Sequence, residues 1–331
     1  MENVGQARLL GSTLSPTGST YLMLVAKTIA LALCVVSILA NPLGATEPVV
    51  TDSSSPSSAP ADRAQPGTKS LEFRTYVTDG WNIQECNGFR VCSRGALPND
   101  QALVTALDAL RANLSRKWLG DVPLPVWRPK CEIILHTSQK AYLRAVPGGM
   151  QTVGSSLIES EHGRIVTRRI DVRGDQPGWL NAAVAHELTH VILADVFANG
   201  EVPRWADEGM AVLADTPEKQ HLHLRDLRNA RQQGSHWRMV ELFTLAGYPD
   251  ERRQAAFYGQ SASVVKFLVE RESPERFRQF VQASLKDGYD RALNDVYQIR
   301  GLRELEQHWT ESVALEESVA QSRKPGRSEG G

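Results

Sequence analysis

Two imidazoles and a carboxylate stand close together in the run His186-Glu187-Leu188-Thr189-His190. On an α-helix, residues four apart share a face, so both imidazoles can point at one metal ion. Glu187 lies about 100° round the helix from His186. There it can hold a water molecule beside the ion without binding the ion itself. Two nitrogen ligands and an adjacent base are the parts of a zinc-activated hydrolysis, in which the ion acidifies water and the base carries its proton. Zinc needs a third protein ligand and a fourth position left open. Glu208 is the candidate, within Pro203-Arg204-Trp205-Ala206-Asp207-Glu208-Gly209. A turn at 199–202 lets a second helix, starting at Pro203, fold back so that Glu208 faces the imidazoles, and Gly209 permits close backbone approach.

These side chains must be positioned by elements, and the first is the helix that carries the motif. Gly178 or Asn181 can cap its start, and Asn199-Gly200 is a C-terminal stop. Leu188 and Ile192 form one apolar side, Val184 and Val191 another. The histidines and Glu187 are left facing a cleft. Upstream, the pattern predicts a strand at 73–77 and a helix capped by Asp100 and running to about Trp118, with Leu103, Leu107, Leu110 and Leu114 on one face. A strand at 131–135, a short helix at 138–143 and a strand at 164–172 follow. The last is a candidate edge strand, to which an extended substrate backbone could add; an ordinary internal strand is the equal alternative. Downstream the pattern is helical: 257–270, then a helix capped by Ser273 with Pro274 at its first position, then 292–297 and 302–313. The expected fold class is α+β, with an N-terminal mixed strand/helix lobe, a central HExxH helix and a mostly helical C-terminal lobe.

The chain has 331 residues, 37 Lys and Arg against 38 Asp and Glu, and a net charge of −1. That balance gives no reason to expect nucleic acid as a partner. Residues 21–40 are apolar apart from Lys27 and a few hydroxyl groups, and Leu43-Gly44-Ala45 is a small-residue cleavage site. Residues 1–45 therefore read as a signal peptide or N-terminal membrane anchor, with Met23 an alternative start, and export is expected. An uncleaved anchor would be the one tie to a membrane. Ser, Pro, Ala and Thr dominate 46–70, which reads as a disordered tether, and 316–331 as a disordered tail. Between them, 71–315 forms the expected domain. Cys86, Cys92 and Cys131 lie within it. A Cys86–Cys92 disulfide is the first expectation, with pairing to Cys131 left open and three unpaired buried thiols as the alternative. Residues 219–238 are locally basic and carry His221, His223 and His236; they are expected to form a solvated helix face. Trp205, Trp237 and Trp309 are expected in the core.

His-Glu-Leu-Thr-His followed by Trp-Ala-Asp-Glu-Gly-Met-Ala resembles the gluzincin metallopeptidases, and more closely the peptidase MA-like group of exported bacterial proteins. Leu193 and Val196 stand where metzincins would carry Gly and His, which removes that branch. The run Tyr258-Gly259-Gln260-Ser261 is similar to a Tyr-x-Gln-Ser segment that opens a helix in the family. The resemblance implies a zincin-like fold and one Zn²⁺ ion held by His186, His190 and Glu208. It also implies that Glu187 is the general base and that Tyr258 donates a hydrogen bond to the oxyanion. Asp207 and Asp195 are candidate partners for the imidazole N–H groups, with a surface or capping role the favoured reading for Asp195. The aminopeptidase branch carries Gly-x-Met-Glu-Asn upstream, and Gly149-Met150-Gln151-Thr152 departs from it by losing the carboxylate that binds a free amine. An endopeptidase acting on a peptide or protein substrate is therefore expected. The alternatives are a non-catalytic zinc-binding scaffold and a zinc hydrolase of a non-peptide amide. An intact Glu187 favours an enzyme over a scaffold, which has no need of that base.

Overall fold

A computed structural model describes residues 73–97, 101–147, 152–197 and 201–322. The expected leader and tether, the cap at Asp100, the stop at Asn199-Gly200, all but Thr152 of the Gly149–Thr152 run, and the tail beyond Ser322 lie outside the described residues.

The N-terminal lobe is a six-stranded mixed sheet in the order β1-β2-β3-β4-β6-β5. Its strands are β1 (Arg74–Thr78), β2 (Trp81–Glu85), β3 (Phe89–Ser93), β4 (Cys131–His136), β5 (Gly154–Glu161) and β6 (Arg164–Arg173). β3, β4 and β6 run parallel, while β1–β2, β2–β3 and β5–β6 are antiparallel. Helix α1 (Ala102–Leu119) makes the crossover from β3 to β4, and α2 (Gln139–Ala145), capped by the Ser138 hydroxyl, follows β4. Side chains alternate across a strand, so Phe89, Val91, Cys131, Ile133, Leu135, Ile170 and Val172 all face one side of the sheet. They pack against Leu103, Leu107 and Leu114 of α1 and Leu188, Val191 and Ile192 of α3 (Ala185–Val196).

The same alternation decides the cysteines. Cys86 and Cys131 lie in that core, whereas Cys92 packs with Ile83 and Ile134 on the opposite face. All three are free and buried, so the expected Cys86–Cys92 bridge is replaced by three buried thiols.

A second correction concerns the sheet edge. β6 spans the expected strand but is internal, between β4 and β5; the edge on that side is β5, for which the sequence raised no expectation. Its sequence, GSSLIESE, is too polar to announce a strand, although Gly154, Ser155 and Ser156 are buried.

The C-terminal lobe is helical: α4 (Arg204–Val212), α5 (Pro217–Gln232), α6 (Met239–Phe243), α7 (Glu251–Arg271), α8 (Pro274–Asp287), α9 (Tyr289–Tyr297) and α10 (Leu302–Ser322). Its core gathers Trp205, Met210, Trp237, Phe243, Phe257, Phe277, Phe280 and Trp309. The three expected core tryptophans are buried. α8 begins at Pro274 with the Ser273 hydroxyl as its cap, as expected. α7 starts earlier than the pattern suggested, because the Asp250 carboxylate accepts the amides of Arg252 and Arg253. Tyr258 therefore sits inside α7 rather than opening it. α10 continues past Val313, so 316–322, expected in the tail, is helical. No helix among the described residues is long and apolar enough to cross a membrane.

Candidate metal centre

The motif helix is launched at Gly178, whose carbonyl accepts the amides of Asn181 and Ala182. A single π-type turn, Leu180–Val184, leads into α3. Burying Leu188, Val191 and Ile192 against the sheet turns His186 and His190 the other way, toward α4, and leaves Glu187 between the two sides, against β5. All three are buried, Glu187 at 1 % exposure. The two imidazoles meet edge to face, with ring centroids 5.1 Å apart.

Helix α4 is pinned by Trp205, which stacks on Phe243 at 3.9 Å between ring centroids. One turn later Glu208 projects toward α3. Gly209 lets α4 lie against α7: an added Cβ would stand 2.5 Å from Val265 Cγ2 and 2.6 Å from the Ser261 carbonyl oxygen. Glu208 Oε2 lies 3.5 Å from His186 Nε2 and 3.9 Å from His190 Nε2. The ligand atoms of His186, His190 and Glu208 all fall within 4.8 Å of one another. Donors around a tetrahedral zinc at about 2.0–2.2 Å are about 3.4 Å apart, so small side-chain adjustments would close this triangle on one ion.

The far side of each ring is already held. His190 Nδ1 lies 2.5 Å from Asp207 Oδ1, and His186 Nδ1 lies 3.2 Å from Asp215 Oδ2. A carboxylate at Nδ1 favours the tautomer with its proton there, which leaves the Nε2 lone pair facing inward as a metal requires. His186 Nε2 has no hydrogen-bond partner among the described residues. Burial works against a charge on His186, but Asp215 outweighs it and the imidazole pKa rises to about 9. A cation at Nε2 would take the place of that proton. Asp215 is kept ionised against its burial by His186 and by Lys219, whose Nζ is 2.8 Å away. The donor set, the tautomers and the unpartnered nitrogen all fit zinc.

Glu187 abuts the first residue of β5, since a Cβ on Gly154 would lie 3.1 Å from Glu187 Cγ. Its Oε2 has no hydrogen-bond partner among the described residues. The base candidate thus stands between the sheet edge and the triad. Tyr258 is 2 % exposed, and its hydroxyl is likewise unpartnered among the described residues. Burial, then the charges of Glu208 and Glu187, push its pKa well above the usual phenol range. A protonated donor is what an oxyanion needs.

Of the two aspartates considered from sequence, Asp207 reaches an imidazole. Asp195 does not; it binds Trp127 Nε1 at 2.5 Å and pairs with Arg168. Sequence reasoning also missed four groups. Asp215 sits in the turn after α4, with no motif to mark it. Tyr248, in the α6–α7 connection, donates its hydroxyl to Glu208 Oε1 at 2.6 Å. Lys219 and His223 lie on α5, in the stretch expected to be solvated. His223 is 7 % exposed, with its ring 5.8 Å from that of Tyr258. A helical-wheel reading of 217–232, with Leu227 and Ala230 buried beside His223, would have found that inward face.

Residues 162–315 match the family model described as Peptidase MA superfamily. No curated protein sequence matches the chain. Among solved structures, a crystal structure of an M1 zinc metallopeptidase mutant from Deinococcus radiodurans is similar at 15% identity and a TM-score of 0.35, covering 72% of this chain and 52% of that one. The chain thus spans about half the length of that protein.

Proposed function

We propose that the chain, whose residues 162–315 match the Peptidase MA superfamily, is an exported zinc-dependent metallopeptidase of the gluzincin type that cleaves within peptide or protein chains. The observation that carries the reading is the buried convergence of His186, His190 and Glu208 within 4.8 Å, on two helices, beside Glu187. His186 and His190 would hold one zinc ion through Nε2, and Glu208 through a carboxylate oxygen. Zinc in such a site supplies Lewis acidity, lowering the pKa of water and polarising the scissile carbonyl.

The remaining steps belong to the protein's own groups. Asp207 and Asp215 fix the two imidazoles so that no reorganisation is needed at each turnover. Glu187 takes a proton from the attacking water and delivers it to the nitrogen of the leaving amine. Tyr258 donates its phenol proton as a hydrogen bond to the oxygen that gains charge. β5, which begins against Glu187 and ends the sheet order, is the strand beside which an extended substrate would add its backbone. Cleavage within chains is favoured because Gln151 and Thr152 supply no carboxylate for a free amine. Export is supported by the leader composition of 21–45; N-terminal sequencing of the protein made in an exporting host should begin at Thr46.

The test compares wild type with Glu187→Gln for zinc content and for hydrolysis of a mixed peptide pool. Both should hold one zinc, while turnover falls by about 10²–10⁴-fold in the variant. Equal turnover, or a wild type that takes up no zinc, would sink the mechanism. Zinc without any hydrolysis would instead favour a scaffold.

A further inference from the structure

The two oxygens of Glu208 have different surroundings. Oε2 faces both imidazole nitrogens, at 3.5 and 3.9 Å. Oε1 accepts a hydrogen bond from the Tyr248 hydroxyl at 2.6 Å. The difference bears on function, because a carboxylate can grip a metal through one oxygen or two. Zinc held by three protein ligands keeps its fourth position for water. A second oxygen from Glu208 would crowd or fill that position.

The tyrosine is itself held firmly. Arg204 lies over its ring, with the guanidinium carbon 4.8 Å from the centroid, and Nη1 reaches the hydroxyl at 3.4 Å. Phe257 meets the ring edge-on at 6.5 Å. Burial and then the charge of Glu208 raise the phenol's pKa well above its usual range, so it remains a donor. Arg204 Nη1 also lies 3.9 Å from Asp207 Oδ2, the carboxylate that holds His190. One cation thus backs the supports of two of the three ligands. Tyr258, by contrast, leaves its hydroxyl unpartnered among the described residues. The two phenols are thereby divided in role, one committed to the ligand and the other available to substrate.

We propose that Tyr248 is a positioning residue that holds Glu208 in one-oxygen coordination, so that the fourth place at the zinc stays open. The proposal rests on the metallopeptidase reading above. Removing the hydroxyl while keeping the ring preserves the ring's contacts with Arg204 and Phe257, gives up the Arg204 Nη1 hydrogen bond, and frees Oε1 to turn toward the metal.

The experiment replaces zinc with Co²⁺ in the purified full chain and records the visible spectrum of wild type, Tyr248→Phe and Tyr258→Phe. Wild type should show the intense bands of a four-coordinate ion. Tyr248→Phe should lose that intensity several-fold, as the ion becomes five-coordinate, and bind zinc about tenfold more weakly. Tyr258→Phe should keep the wild-type spectrum. An unaltered spectrum and affinity in Tyr248→Phe would overturn this proposal alone. A wild type that takes up neither ion overturns the metallopeptidase reading and this proposal with it. Should Tyr248→Phe fail to fold, X-ray absorption on the wild-type zinc protein decides: one carboxylate oxygen on the ion upholds the proposal, and two refute it.

Discussion

At the scale of single residues, the centre is built from carboxylates in three different jobs. Glu208 faces the space between the imidazoles, Asp207 and Asp215 hold those imidazoles from behind, and Glu187 stands aside with Oε2 free of hydrogen-bond partners among the described residues. What separates the jobs is geometry and company, since all four are buried. Asp215 keeps its charge because His186 and Lys219 flank it. Tyr258 has the opposite condition, held protonated by burial and by two negative neighbours. Tyr258→Phe should therefore leave zinc content unchanged and lower kcat by about 10²–10³-fold, with little change in KM. Steady-state kinetics on one defined peptide, paired with metal analysis, checks this.

At the scale of elements, α7 is the post on which the site is hung. α4 lies against it at Gly209 and α5 at Gly259, where an added Cβ would stand 2.3 Å from the His223 carbonyl oxygen. Gly209→Ala should push α4 off α7 and carry Glu208 away from α3, costing about 1–3 kcal/mol of stability and most of the zinc affinity. Denaturant melts and zinc titration test both halves of that expectation. The α5 contact has its own signature in pH. Burial, partly offset by Asp215, pushes His223 down to about 4 from its ordinary 6.5. Above pH 6.5 both folded and unfolded forms are neutral there. As pH falls toward 4, the unfolded chain takes up a proton that the folded one refuses, so stability is lost across that window, by up to about 3 kcal/mol. His223→Gln should flatten this acid loss in the metal-free protein, measured as denaturant midpoints at pH 7 and pH 4.5.

At the scale of the whole molecule, the triad straddles two cores. Leu188, Val191 and Ile192 root α3 in the sheet lobe, while Trp205, Met210 and Val212 root α4 in the helical lobe. An ion bound by ligands from both helices ties the lobes together, so its removal should soften both. With free zinc at a hundred times its Kd, the stabilisation is about 2.7 kcal/mol. Calorimetry should accordingly show a melting temperature that climbs with free zinc and drops on chelation. A melting temperature indifferent to zinc would contradict a site shared between lobes.

The spacing of His186, Glu187 and His190 was legible in the sequence because helical periodicity is local, and four residues always return to one face. Glu208 was legible for a related reason: Trp205 and Gly209 sit at fixed offsets from it on one short helix. The α+β division and the helical C-terminal half followed from hydrophobic period alone. Other features depended on contacts between distant segments. Which strand lies beyond β6 was decided by sheet order, and β5, largely polar in sequence, carried too weak a pattern to be seen. The cysteines were assigned to opposite faces by strand register, and His223 and Lys219 were drawn inward by packing against α7. Tyr248, forty positions from Glu208, meets it only because two helices and a loop bring them together. Sequence therefore determined the side chains that could meet a metal, since their geometry is set within a helix. Tertiary structure alone decided what stands behind them, since hydrogen bonds to those ligands close across loops whose paths no local pattern encodes.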